Sequence, residues 1–183
     1  MSIKTPEFFQ PIQSYDFHIY YYSNYAPSRQ EAIQFKNKIF ENFQKEIDDD
    51  ILIVKVQRNE RISGPHIVSF FEVDIEDPSL FIKFFSFSQL HHGNLNILVH
   101  PNSGDPFKDH IDFPAWIGNK LPLISKPLTY AKGYPEFGFP NRELIKDGFY
   151  DIEERWKKSI MVRLLNKAPE NDLWSDESYR IAK

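Results

Sequence analysis

The chain has 183 residues, of which 41% are hydrophobic and 26% charged, a composition typical of one globular domain with a substantial core. A net charge of −4 argues against a nucleic-acid partner, which would need a basic face. Cysteine is absent, so histidines or oxygen ligands must serve any metal. No signal-peptide or membrane-spanning apolar run is present, and we expect a single cytoplasmic domain over residues 1–183 with no membrane partner.

Four strands and two helices are predicted in the first hundred residues. Propensity and alternation indicate strands over 14–23, 50–57, 66–75 and 94–100. Apolar residues at helical spacing indicate helices over 26–47 and 77–93. Ser28 and Glu31 form a capping-box pattern, and Asp77 can cap the second helix. This order predicts an α+β fold, a ferredoxin-like β-α-β-β-α-β sandwich with strand order 4-1-3-2 and both helices on one face.

The last third of the chain is less regular. We expect the ferredoxin-like core to span about residues 14–124 and a C-terminal loop and helix extension to span about 125–183. Prolines, glycines and aromatic residues over 113–140 predict an ordered loop rather than a flexible linker. An apolar stripe at helical spacing predicts a docking helix over 151–167.

Histidines fall on one predicted face of the sheet. Side chains alternate along a strand, and His18, His66 and His100 each share the more polar side of their strand. Their three strands are neighbours in the predicted order, so the imidazoles form a candidate metal site for Fe(II), Zn(II), Ni(II) or Cu(II). The structural alternative for each of them is a histidine at the surface or one that is hydrogen-bonded in the core.

Several segments together resemble the fungal and bacterial DOPA 4,5-dioxygenase family. They are "YDFHIYY", "GPHIVSFFEVDI", "NLNILVHPNSGD" and "DHIDFPAWIGNKLPL", which together cover roughly residues 14–124. The resemblance implies a dimeric α/β barrel of ferredoxin-like subunits and extradiol cleavage of a catechol by non-haem Fe(II) and O2. The histidine-bearing motifs of the family fall on His18, His66, His100 and His110.

Extradiol chemistry needs a metal with open positions and groups that move protons. We expect Fe(2+), with Zn(2+) or another divalent ion possible, on His18, His66 and His100, and His110 as the acid-base residue. Asp109 is a second candidate catalytic residue, either as a metal ligand or as the group that orients a histidine. The sequence leaves open whether a carboxylate also binds the metal. The candidates are Asp16, Glu72, Asp105 and Asp109.

An aromatic substrate needs a pocket with flat apolar walls. Tyr20 and Trp116 are candidate wall residues, and Asn102 lies in the turn-rich stretch that would carry Asp109 and His110 back over the sheet. For the two aromatic residues, packing in the core or at a dimer interface is the alternative.

Three functions fit these patterns. The first is a metal-dependent dioxygenase-like enzyme that acts on a catechol or related small aromatic with O2. The second is another metal-dependent enzyme of the same fold, with a hydrolytic or isomerising role. The third is a non-catalytic ligand-binding or interaction protein that has lost the activity.

The sequence also predicts a homodimer. The sheet face opposite the helices would carry five large apolar side chains beside its histidines, too many to leave in water on a monomer. They are Tyr20, Tyr22, Val68, Phe70 and Leu98. Either a second copy covers this face, or the segment 126–167 folds back over it.

Overall fold

The computed structural model describes residues 6–56, 62 and 64–130, with the side chains of 129 and 130 excepted. Within these residues it contains five strands and four helices. In chain order they are β1 Ser14–Tyr21, α1 Ala26–Asp48, β2 Leu52–Val56, β3 Ser69–Ile75, α2 Pro78–His91, β4 Asn96–Asn102, α3 Pro106–Ile111, β5 Ala115–Ile117 and α4 Lys126–Tyr130. The helix predicted over 151–167 lies outside the described residues.

The strands form one antiparallel sheet in the order β2-β3-β1-β4-β5. The order predicted for the first four strands is confirmed, and β5 adds a short fifth strand beside β4. The segment 113–140 was expected to be irregular throughout. Within it, however, Ala115, Trp116 and Ile117 pair with β4, and Trp116 and Ile117 both favour strands. The result is a mixed α/β domain.

The main core lies between the sheet and the helices. Apolar residues at helical spacing on α1 are buried, as the sequence predicted. They are Ala32, Phe35, Ile39, Phe43 and Ile47. They pack with Phe17 and Ile19 of β1 and with Phe84 of α2, so both long helices cover the same face of the sheet. None of the described helices is long and apolar enough to cross a bilayer.

The two predicted helix caps have different outcomes. Asp77 caps α2 as expected, since its Oδ1 accepts a hydrogen bond of 2.6 Å from the Leu80 amide. The capping box at Ser28 is wrong because α1 begins at Ala26, with Pro27 in its first turn. Ser28 instead lies inside the helix, where its hydroxyl accepts a hydrogen bond of 3.0 Å from the Tyr22 amide.

The sheet face opposite the helices, called the far face below, is buried within the same chain. Its central apolar cluster of Tyr20, Phe70 and Leu98 is covered by surrounding side chains. These are Val68, Trp116, Leu121 and Leu123. The expected cover was a second copy or the segment 126–167. Among the described residues, Tyr20, Phe70 and Leu98 are instead covered by Trp116, Leu121 and Leu123, which precede that segment. Tyr22 follows the end of β1 and is 51% exposed.

Candidate metal centre

His18 and His100 meet at the middle of the far face. His18 lies on β1 and His100 on β4, and the alternation of both strands points these side chains away from the helices. Both residues are buried, with only 4% and 2% of their surface exposed. Nε2 of His18 lies 2.9 Å from Nε2 of His100.

A short helix adds a third imidazole. Pro106 starts α3, and the Asp105 carboxylate caps it by accepting a hydrogen bond of 3.2 Å from the Lys108 amide. His110 on this helix places its ring 3.9 Å from the His100 ring, centre to centre. One nitrogen from each of His18, His100 and His110 lies within 4.8 Å of the other two.

Asp109 anchors α3 to the end of β4. Its Oδ1 accepts a hydrogen bond of 2.5 Å from the Ser103 hydroxyl, and its Oδ2 accepts one of 3.1 Å from the Ser103 amide. The side chain is buried. These contacts fix the position of its neighbour His110, which matches the orienting role that the sequence left open for Asp109.

Backbone carbonyls set the tautomers of two of the three histidines. Nδ1 of His100 lies 2.9 Å from the Pro101 carbonyl, and Nδ1 of His110 lies 2.9 Å from the Pro106 carbonyl. A carbonyl can only accept, so both Nδ1 atoms carry the hydrogen. A neutral imidazole then has its lone pair on Nε2, which is the form that binds metals.

The separation of the two Nε2 atoms, which a hydrogen bond joins in this structure, is also one that a divalent ion with right-angled ligands could span. Two imidazole nitrogens, each about 2.1 Å from one ion and at right angles to each other, lie about 3.0 Å apart. The 2.9 Å separation of the His18 and His100 nitrogens matches this value. Neutral imidazoles suit iron and zinc alike.

Burial keeps these imidazoles neutral. It lowers the pKa of His100 to about 4 and that of His110 to about 3, with the neighbouring His100 adding to the shift of His110. Burial and the neighbouring His66, His100 and His110 also lower the pKa of His18 well below its ordinary value. The three rings are therefore uncharged at physiological pH. Because His100 has its hydrogen on Nδ1, His18 donates the hydrogen bond between the two Nε2 atoms, and a bound ion would take the place of that hydrogen.

His66 occupies a different position from the one expected. Strand β3 begins only at Ser69, and His66 precedes it in a turn, yet the residue is 4% exposed. Its Nδ1 lies 2.7 Å from the Tyr20 hydroxyl. Its ring centre is 4.4 Å from that of His18. The three histidines whose nitrogens converge are thus His18, His100 and His110, whereas the sequence predicted His66 in place of His110.

Carboxylates and a lysine lie in two adjacent cross-strand rows on the far face. Lys55, Glu72 and His18 are paired across β2, β3 and β1, and Ile53, Asp74, Asp16 and His100 form the next row. Lys55 forms ion pairs with Glu72, at 2.6 Å, and with Asp74. Glu72 lies 3.6 Å from His18, and Asp16 lies 3.9 Å from His100. Of the four carboxylates considered as ligands, Asp16 and Glu72 thus lie near the histidines.

The charges within these rows are coupled. Burial opposes ionisation of Glu72, but attraction to Lys55 outweighs it and lowers the pKa of Glu72 to about 2. Burial and repulsion by Asp16 raise the pKa of Asp74 well above its ordinary value. The oxygens of Asp16, Glu72 and Asp74 also lie within 4.8 Å of one another, and the ammonium of Lys55 pairs with two of them, Glu72 and Asp74.

Two of the three predicted pocket residues lie together. The rings of Tyr20 and Trp116 stack with centres 5.8 Å apart and planes 16° from parallel. Asn102 is 7% exposed. Its amide donates to the Ser14 hydroxyl at 2.8 Å and to the Asp16 carboxylate at 2.9 Å. Because both amide hydrogens are engaged within the protein, the prediction that Asn102 contacts substrate is not supported by its position.

Lys55 forms ion pairs with Glu72 and Asp74 on the far face, which the sequence did not predict. Its position in the apolar strand "LIVKV" is an available signal, since a lysine among buried residues is rare without a partner. Cross-strand pairing with Glu72 could be found only once the register of β2 against β3 was known.

An antiparallel sheet with helices on one face and three converging imidazoles on the other defines a small mixed α/β protein with a candidate metal centre. Residues 15–126 match the model of the Dopa 4,5-dioxygenase family. The chain therefore belongs to this family.

Two curated fungal proteins and one solved structure are similar to the chain. A DOPA 4,5-dioxygenase of Amanita muscaria is 33% identical over 134 residues, which is 73% of this chain and 57% of that protein. An uncharacterised 21.2 kDa protein of Botryotinia fuckeliana is 29% identical over 130 residues, 64% of this chain and 67% of that one. A crystal structure from Nostoc punctiforme, provisionally assigned as a dioxygenase, is 25% identical with a TM-score of 0.53, covering 65% of this chain and 93% of its own.

Proposed function

We propose that the chain is a non-haem, Fe(II)-dependent extradiol dioxygenase that cleaves a catechol or a related small aromatic with O2. The observation that carries this proposal is the convergence of three neutral imidazoles on one point of the far face. Membership of a dioxygenase family supports the reaction class. The relative from Amanita muscaria supports a substrate of the DOPA type.

His18, His100 and His110 would hold the ion through Nε2. Their backbone and helix anchors fix two of these rings before any ion arrives. A bound Fe(II) would supply a redox-active Lewis acid with open positions for substrate and O2. Because the site is buried, the chain excludes bulk water from the reacting groups.

The acid-base role expected of His110 passes to His66 in this proposal. His66 lies beside His18 and is held by the Tyr20 hydroxyl through Nδ1. Burial lowers the pKa of His66 to about 3, so the ring is neutral and only a weak base on its own. With Nδ1–H donating to the Tyr20 oxygen, the lone pair on Nε2 would accept a hydrogen bond from a catechol hydroxyl, whose acidity a bound metal ion would raise. Tyr20 fixes the ring while the proton moves at its other nitrogen.

The substrate ring would lie near the stacked Tyr20 and Trp116. Trp116 is half-buried and stacks on the buried Tyr20, so the accessible part of the Trp116 ring would offer a flat apolar wall close to the histidines. Offset or edge contacts with such a wall would orient an aromatic substrate.

We further propose that the domain is of the ferredoxin-like, dimeric α/β barrel type and forms a homodimer. The element order β-α-β-β-α-β and the sheet order β2-β3-β1-β4 support the ferredoxin-like part. The resemblance in sequence to the family supports the dimer.

A zinc-dependent hydrolase is the second candidate. Three histidines are also the ligand set of one kind of catalytic zinc site, in which the fourth position holds water. The same trio of His18, His100 and His110 would serve.

Anaerobic loading of the full chain with Fe(II), followed by an oxygen-electrode assay with a series of catechols, tests the proposal. We expect O2 uptake in step with the appearance of a conjugated ring-opened product, and neither with His100→Ala. Fe(II) binding without O2 uptake for any catechol would overturn the dioxygenase and favour the zinc enzyme. Failure to bind any divalent ion would indicate a non-catalytic protein.

A further inference from the structure

The orientation of His18 depends on a side chain, whereas that of its two partners depends on the backbone. Nδ1 of His100 and Nδ1 of His110 each face a backbone carbonyl at 2.9 Å. Within the described residues, Nδ1 of His18 is buried and has no hydrogen-bond partner. A carboxylate oxygen of Glu72, Oε2, faces this nitrogen at 3.6 Å.

A metal at Nε2 requires an acceptor at Nδ1. A neutral imidazole has one hydrogen, and if its Nε2 lone pair binds an ion, that hydrogen sits on Nδ1. A buried N–H group without an acceptor is unfavourable, so a carboxylate in this position favours the metal-binding tautomer. A small side-chain rotation would bring Oε2 of Glu72 from 3.6 Å to hydrogen-bond distance.

The two oxygens of Glu72 face different partners. Oε1 accepts a hydrogen bond of 2.6 Å from the ammonium of Lys55, and Oε2 faces His18. Lys55, Glu72 and His18 are directly paired across three neighbouring strands, so the backbone register holds all three in line. Lys55 thus anchors the carboxylate from the side away from the histidines.

We propose that Glu72 is a positioning residue that accepts a hydrogen bond from Nδ1 of His18 and so directs Nε2 of His18 toward the metal, with Lys55 as its anchor. This inference rests on the proposed metal centre at His18, His100 and His110. Glu72 itself does not touch the metal or the substrate in this scheme. It connects the edge of the sheet at β2 to the centre of the site.

Zn(II) affinity provides the first test. Competition with a chromophoric chelator should show that Glu72→Gln in the full chain binds Zn(II) about 10- to 100-fold more weakly than the unaltered protein. Lys55→Met should give a smaller loss, because Glu72 remains but is less well anchored. Glu46→Gln is the matched control, since it removes a carboxylate that pairs with a lysine, Lys83, at 2.7 Å on the helix side of the domain, and its affinity should stay within about threefold.

A second measurement needs no variant. Long-range 15N–1H NMR of the Zn(II)-loaded, unaltered chain should show His18 bound through Nε2, with a slowly exchanging hydrogen on Nδ1. A hydrogen on Nε2 of His18 would overturn the proposal, even if Glu72→Gln failed to fold. Equal Zn(II) affinity of folded Glu72→Gln and the unaltered chain would overturn the role of Glu72 alone. If the unaltered chain did not bind Zn(II) at these histidines, both this inference and the metal centre would fail.

Discussion

Nε2 of His18 lies 2.9 Å from Nε2 of His100, although 82 positions separate the two residues in the chain. In the register of β1 against β4, His18 faces Leu98 and Asp16 faces His100, so the two histidines are diagonal neighbours on one face. Side chains of this length meet across such a diagonal. The antiparallel register therefore brings the two rings together, and α3 adds the third.

Replacing His110 and His66 one at a time distinguishes the two possible sets of metal ligands, which share His18 and His100. Because His110 belongs to the converging trio and His66 is hydrogen-bonded to Tyr20, His110→Ala should lower Fe(II) or Zn(II) content strongly, whereas His66→Ala should leave it near normal. Mass spectrometry of the metal after desalting measures both. The reverse pattern would restore the trio expected from the sequence.

Tyr20→Phe removes the hydroxyl that holds His66. We expect normal metal content, a fall in kcat of about tenfold or more because the acid-base group loses its orientation, and a loss of stability of about 1 kcal/mol. Steady-state kinetics and urea unfolding measure these effects. Tyr22→Phe is the control because Tyr22 is 51% exposed, and it should change neither kcat nor the free energy of unfolding. An unchanged kcat for Tyr20→Phe would remove this pair from the mechanism.

Much of the fold could be predicted from the sequence because its signals are local. Alternation along β1 and helical spacing along α1 each report one element, and the element order then allows few arrangements. The same alternation along the strands correctly placed His18 and His100 on the far face. Strand alternation could not predict the direction of the His66 side chain, because β3 begins at Ser69 and the segment before it has no fixed alternation.

The parts that were missed depend on contacts distant in sequence. The Asp109–Ser103 contact that orients α3 involves a turn whose conformation no periodicity encodes. Burial of Phe70 depends on where the chain after β5 runs, which the sequence reports only as proline-rich and irregular. The ion pair of Lys55 with Glu72 required the register of two strands joined by a connection of a dozen residues.

Gly118→Ala should destabilise the fold by about 1–3 kcal/mol. Gly118 has φ +82, and an added Cβ would lie 2.8 Å from Asn96 Oδ1 and 3.0 Å from the Leu95 carbonyl. Asn96 Oδ1 accepts a hydrogen bond of 2.7 Å from the Asn119 amide, so the clash would also disturb the turn after β5. Chemical denaturation measures the change. Gly104→Ala is the control, because Gly104 has φ +104 but an added Cβ would meet no atom within 4 Å. An equal loss of stability in both variants would show that the positive φ, and not the contact with Asn96, causes the loss.

The homodimer stays a prediction, and the side chains first expected at its interface differ in exposure, since Phe70 is buried and Tyr22 is exposed. Because Phe70 is 2% exposed, Phe70→Asp would disrupt the subunit itself and cannot probe an interface. Tyr22→Asp remains informative, since Tyr22 is exposed at the end of β1. Light scattering coupled to size exclusion should give twice 21.7 kDa for the unaltered chain, with a lower mass for Tyr22→Asp at micromolar concentration. A mass of 21.7 kDa for the unaltered chain would contradict the dimer.

Lys36 makes the stability of the domain depend on pH in a specific direction. It lies on the buried side of α1 and is 2% exposed, and burial lowers its pKa to about 7. Between this value and the ordinary lysine pKa of about 10.4, the unfolded chain holds a proton that the folded chain has lost. The unfolding free energy contributed by Lys36 therefore rises with pH across this window, and its penalty is fully present below about pH 7.

Lys36→Met should remove this dependence. We expect the gain in unfolding free energy from the substitution to be roughly 2–3 kcal/mol larger at pH 6 than at pH 9, because each pH unit above the folded pKa changes it by about 1.4 kcal/mol. Urea unfolding of both proteins at the two pH values gives the difference, in which other titrating groups cancel. Lys38→Met on the exposed side of the same helix is the control and should show equal effects at both pH values. If Lys36→Met also gave equal effects, Lys36 would be charged in the folded protein throughout this range.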